Sequence, residues 1–170
     1  MNKNTFWDII EMSKQTKHNI DMNNQSDALI EILEQKDIKT IFEFEICLQI
    51  LQKQLDTTHL NVIAATKLDV SLPSKHTQQG FSNWIICLGK ETYQKALENP
   101  ISVLRIDDEK RLVNGRAYLP ELNQVASCAF YELKGLDADW VKEFSDYNTT
   151  KRRQRDIQTN TKNKYREMDL

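Results

Sequence analysis

Glycine occurs four times and proline three times in a chain of 170 residues. Tight β-hairpins draw on glycine for positive φ, whereas helix interiors need neither residue, so this scarcity argues against a hairpin-rich sheet and for helix. Cysteine is nearly as rare. Cys47, Cys87 and Cys128 are odd in number and far apart, whereas a disulfide framework draws on an even set and a zinc site on a close pair. Each is read as a buried thiol acting as a small hydrophobe. No apolar run approaches the roughly 20 residues that span a bilayer, and Met1-Asn2-Lys3-Asn4 does not open a signal peptide. No membrane association and a cytoplasmic location are the expectation. The three histidines, His18, His59 and His76, form no His-x-x-x-His or His-x-x-Glu pair that would set two ligands on one helix face. There is no Gly-x-Ser-x-Gly elbow and no glycine-rich phosphate loop. Cys87 lies in Ile85-Ile86-Cys87-Leu88, apolar surroundings that raise a thiol's pKa and make it inert. The expectation is therefore no catalytic residue, no metal and no cofactor.

What is present is an ordinary globular composition, 39% hydrophobic and 28% charged, long enough for one domain. Thr5 is expected to cap a first helix with Phe6, Ile9 and Ile10 inward. Phe6 and Trp7 are adjacent, so one narrow stripe does not bury both, and Trp7 is the aromatic expected to stand apart from the core. Lys17–Gln25 is polar and reads as a loop, with Ser26 or Asp27 capping a short second helix. Behind Asp37, a further cap, Ile38, Ile41, Phe42, Phe44, Leu48, Leu51 and Leu55 recur at helical steps. A helix over Thr58–Leu68 follows. Another runs through Phe81, Trp84, Ile85 and Leu88 to a stop at Gly89, and a further one spans Lys90–Glu98. From Ile101 to Leu119 the helical signal fails. Ile101, Val103, Leu104 and Ile106 fit a short strand or an extended strap, and Asn114-Gly115 fits a hairpin turn. Pro120 is expected to open the next helix, ended by Gly135, and Asp137 to cap the last. The expected fold is all-α, a single-domain bundle of six to eight helices with at most a two-stranded ribbon near 101–119. Residues 1–147 form the helical domain and 148–170 a basic, polar tail.

Two stretches carry a resemblance. Phe6-Trp7-Asp8-Ile9-Ile10 opens the chain. Phe81-x-x-Trp84-x-Ile86-x-x-Gly89-Lys90-x-x-Tyr93-x-x-Ala96-Leu97-x-x-Pro100 forms its centre, with a later helix around Phe130-Tyr131-Glu132. Together, over roughly Asn4 to Leu133, they resemble a small bacterial domain-of-unknown-function family. The family tends to carry a glycine-rich, acidic turn before the central motif, where this chain has Ser71-Leu72-Pro73-Ser74-Lys75-His76. The resemblance implies an all-helical domain and assigns no chemistry. Some small acidic bacterial proteins of this type serve as immunity proteins beside secreted toxins.

Charge is unevenly distributed. Residues 148–170 hold seven Lys/Arg against three Asp/Glu, whereas the preceding residues hold sixteen against twenty-two. Asp139, Glu143 and Asp146 fall at i, i+4 and i+7 on one helix face, and Asp107, Asp108 and Glu109 form a second acidic cluster. Glu43 and Glu45, two residues apart on a helix, do not share a face and are given no role. An acidic surface is a solvated face or a steering surface for a basic partner. The reading taken is a non-enzymatic protein-binding domain, with these six acids docking a basic partner such as a toxin domain. Two alternatives stay open: a nucleic-acid-associated regulatory domain using the basic tail, and an enzyme with a scattered site. Against nucleic acid, the tail offers one aromatic for stacking, Tyr165.

Overall fold

The computed structural model describes residues 1–15, 24–106 and 116–168, with side chains through 154, Pro120 aside. The chain is all-α. Among the described residues, eight α-helices run in order: α1 Lys3–Ser13, α2 Gln25–Leu33, α3 Ile38–Leu55, α4 Thr58–Leu68, α5 Lys75–Cys87, α6 Lys90–Glu98, α7 Val125–Lys134 and α8 Trp140–Met168. Among those residues there is no strand, and no helix is long and apolar enough to cross a membrane. Asn114-Gly115 lies outside the described residues.

Local chemistry sets the starts of the helices. Asp37, Thr57 and Ser74 each accept a hydrogen bond from the backbone N–H three residues on, at 2.6, 3.2 and 3.1 Å, which satisfies one orphan donor of the first turn. α5 ends where Gly89 turns to φ 105°, a conformation that an L side chain rarely adopts. α3 is the axis of the bundle. It packs against α1, α5, α6, α7 and α8, burying Phe44, Leu48, Leu51 and Leu55. Phe81 and Trp84 of α5 are buried together, ring centroids 5.6 Å apart, and Tyr93 and Ala96 of α6 are buried beside α3. The central motif is therefore core packing.

Several expectations are corrected. The cap of α1 is Asn2, whose Oδ1 accepts from Thr5 N at 2.8 Å, so the helix begins two residues before Thr5. Trp7 does not stand apart. Phe6 stacks on Phe44 of α3 at 4.8 Å while Trp7 lies on Tyr93 of α6 at 5.1 Å, and both are buried, because α1 has neighbours on two sides. Gln25 belongs to α2 and is fully buried. Its Nε2 donates to Ser13 Oγ at 2.9 Å and to the Cys87 carbonyl at 3.1 Å, joining three elements. Residues Pro100–Arg105 form a 3-10 helix instead of a strand or strap. Proline at its first position fixes a helical φ, Val103 turns inward, and Lys67 of α4 donates to the Leu104 and Ile106 carbonyls at 3.2 and 2.7 Å. Pro120 likewise opens a 3-10 turn, Pro120–Asn123, ahead of α7. The cap of α8 is Asp139, whose Oδ1 accepts from Lys142 N at 2.9 Å; Asp137 is not the cap. α8 then runs 29 residues, through the point near Tyr147 where the sequence turns basic.

Candidate functional site

The first three turns of α8 cross α3 on an aromatic joint. Phe42 meets Trp140, Phe144 and Tyr147 at ring-centroid distances of 5.4, 5.7 and 5.2 Å. Trp140 and Phe144, four residues apart on one helical face, lie parallel within 2° at 5.2 Å. Both rings border a groove of about 390 Å³ between α3 and α8. Glu45 and Gln49 of α3 line one side, Trp140, Val141 and Phe144 the other, and Arg152 also reaches it.

Glu45 is the unusual group. Its Oε1 accepts from Gln49 Nε2 at 2.7 Å, while its Oε2 is shielded from solvent and has no hydrogen-bond partner among the described residues. Burial raises the carboxyl's pKa, and the Gln49 hydrogen bond only partly offsets that. Glu43, two residues earlier, is the opposite case. Its carboxylate receives the Met1 ammonium, Lys151 Nζ at 2.6 Å and Tyr147 Oη at 2.6 Å. One glutamate is fully compensated and ties α8 to α3; the other retains an oxygen without a partner. Sequence spacing assigns neither a role. The available signal is only that a carboxylate interrupts the apolar α3 segment at each position.

The six acidic positions separate. Asp139 is the α8 cap. Glu143 holds Lys134 of α7 at 2.7 and 2.8 Å. Asp146 is exposed and forms no ion pair among the described residues. Asp107, Asp108 and Glu109 lie outside the described residues. The structure thus gathers Asp139, Glu143 and Asp146 at the α7–α8 corner, with two of them in structural use. The same corner exposes apolar side chains: Leu133, Leu136 at 89% and Val141 at 73% of full exposure.

Cys87 is fully buried and burial pushes its thiol pKa up, with Lys14 opposing. His76 Nδ1 shares a hydrogen bond with Tyr118 Oη at 2.8 Å. His18 lies outside the described residues. Among the described residues no three His, Cys, Asp or Glu side chains come together as a metal cluster.

An all-helical domain with these core motifs has a family. The chain belongs to the family described as "Protein of unknown function (DUF4240)", whose model matches residues 1–132. No curated protein and no solved structure matches the chain. Glu45 and Gln49 thus fall inside the family span, and the α8 side of the groove falls beyond it.

Proposed function

We propose that this domain binds a basic protein partner, taking an arginine or lysine side chain into the α3–α8 groove. The observation that carries the reading is the unpartnered oxygen of Glu45 beside the stacked pair Trp140–Phe144. A carboxylate beside aromatic rings suits a cation, provided that the cation can reach a ring face. Cation–π attraction is worth about 0.5–2 kcal/mol, and a charge-assisted hydrogen bond to Glu45 would be stronger than a neutral one. Partial burial reduces screening by salt. Val141 and Leu136, exposed at the same corner, supply the apolar contact area that such a site needs around its anchor. Asp139 and Asp146 act at longer range, on encounter rate. Among basic partners, a nucleic-acid-cleaving toxin domain fits this chemistry, because the cations it presents to phosphate are those the groove would cover. The domain would then act as its immunity protein.

The test uses a basic arginine-rich peptide as probe, followed through the emission of Trp140, the least buried of the three tryptophans. Binding is expected to weaken about tenfold in Glu45→Gln and to strengthen in Arg152→Ala, which removes a like charge from the groove. Unchanged affinity in Glu45→Gln would overturn the reading, as would preference for duplex DNA or RNA over the peptide.

A further inference from the structure

A second groove lies between α3 and α5, on the far side of Gln49 from the first. Its lining follows two helical stripes, with Asn61 of α4 beside them. α3 presents Gln49, Gln52, Lys53 and Asp56, and α5 presents Lys75, Gln78, Gln79 and Ser82, each set at i, i+3, i+4 and i+7. That spacing sets each stripe along one face of its helix, beside the buried faces that carry Leu48, Leu51 and Leu55 on α3 and Phe81 and Trp84 on α5. Here both are polar along their whole length, and a trough of about 340 Å³ stands between them.

The floor of the trough is held rigidly. Gln52 Nε2 donates both of its hydrogens, to Asn83 Oδ1 at 2.6 Å and Asn123 Oδ1 at 2.9 Å. Asn83 Nδ2 donates to Asn123 Oδ1 at 3.1 Å, and Asn83 is fully buried. A buried amide network of this kind fixes its members' rotamers. Gln52 is left with its Oε1 as an acceptor, touched only by Gln79 Nε2 at a long 3.4 Å. Gln78 is anchored as well, its Nε2 donating to the Pro73 carbonyl at 3.0 Å. The pinned amides therefore offer carbonyl acceptors. Two ammonium groups, Lys53 and Lys75, line the trough, and neither forms an ion pair among the described residues. Among the described residues Asp56 is the one acid in the lining, and no aromatic ring is there.

We propose that this trough binds a small polyhydroxylated anion, of the sugar-phosphate or sugar-acid class. The lysines match a phosphate or carboxylate, and the amide acceptors match hydroxyl donors. A lining without a ring disfavours a stacked nucleobase, and the volume, at the small end of ligand pockets, suits one sugar-sized molecule. The trough shares Gln49 with the α3–α8 groove, but the proposal does not rest on protein binding there.

Calorimetry on the full chain with glucose 6-phosphate and gluconate as probes tests it, with glucose and inorganic phosphate as comparators. At least one of the two anions is expected to bind saturably with a dissociation constant below about 1 mM. Lys53→Ala/Lys75→Ala should weaken it about tenfold or more without moving the melting temperature, since both side chains are exposed. Gln79→Ala should weaken it several-fold. A response to glucose 6-phosphate alone, or to gluconate alone, identifies which anion the lysines accept. The proposal fails if neither probe saturates, if inorganic phosphate binds as tightly as the sugar phosphate, or if the double lysine variant binds unchanged. Loss of peptide binding in Glu45→Gln with anion binding intact would show the two sites to be independent.

Discussion

Trp7 of α1 lies against Tyr93 of α6, ring centroids 5.1 Å apart and tilted by 53°, while its sequence neighbour Phe6, edge-on to it at 5.3 Å, stacks on Phe44. The Tyr93 hydroxyl donates its one hydrogen to Gln54 Oε1 at 2.8 Å, shared weakly with the Leu51 carbonyl at 3.3 Å, and burial pushes its pKa up to about 12. The pair therefore joins α1, α3 and α6. Trp7→Ala should lower stability by about 3–5 kcal/mol, and Tyr93→Phe by about 1 kcal/mol through the lost hydrogen bonds. Denaturant unfolding measures both. A loss under about 1 kcal/mol for Trp7→Ala would place this ring on the surface in solution.

This pair also shows how far the sequence can be read. Helical periodicity locates α3 and α6 because their apolar residues recur at the helical period, and Asp37 announces its own cap. Trp7 escapes the one-stripe rule because that rule assumes one neighbour, and α1 has two. The 3-10 segment at Pro100–Arg105 escapes it because its inward residues are too few to show a period. The acidic stripe is legible as spacing, but a cap and an ion pair leave no trace that separates Asp139 and Glu143 from Asp146. Glu45 is hidden for a different reason. Its partnerless oxygen depends on α8, which returns to α3 about a hundred residues later in the chain.

Glu45 makes a prediction about pH. Its folded pKa is raised by burial above the ordinary 4.5. Well below 4.5 both the folded and unfolded states carry the proton, and Glu45→Gln should be nearly neutral. As pH rises, the unfolded chain ionises first, so the native protein loses stability until the folded carboxyl ionises too. The amide that replaces the carboxyl in Glu45→Gln has no such titration. This variant should therefore gain on the native protein as pH rises above about 4, until the folded carboxyl ionises, as measured by urea unfolding across that rise. If the variant instead loses ground to the native chain over that interval, Glu45 is charged and paired in solution.

Gly80 makes a prediction about close approach. It sits inside α5, and a Cβ there would overlap the Tyr118 ring. The Gly80 carbonyl also accepts from Leu119 N at 2.9 Å. Gly80→Ala gains helix propensity of about 1 kcal/mol but must displace a ring whose hydroxyl is bonded to His76. Overpacking of this sort costs about 1–3 kcal/mol, so a net loss is expected. Removing the ring in Gly80→Ala/Tyr118→Ala should recover part of that loss, giving a non-additive double-mutant cycle. Additive losses would show that Tyr118 does not rest on Gly80.

The acids of the α7–α8 corner can be separated by charge reversal, because their structural duties differ. Asp139→Lys removes the α8 cap and puts a positive charge at the positive end of a helix, a loss of about 1 kcal/mol or more. Glu143→Lys removes the partner of Lys134 and sets two ammonium groups together, a loss of about 0.5–1 kcal/mol for a partly exposed pair. Asp146→Lys touches neither feature and should leave the melting temperature within error. Reversing all three should therefore lower the melting temperature by several degrees, at roughly 2–4 °C per kcal/mol for a chain of this size, and a binding defect in that variant would confound folding with docking. Asp146→Lys alone is the clean probe. If the corner steers a basic partner, the arginine-rich peptide should associate several-fold more slowly with Asp146→Lys at low salt, and the difference should shrink at high salt. An association rate equal to the native chain's at low salt would remove Asp146 from the docking surface and leave recognition to the Glu45 groove.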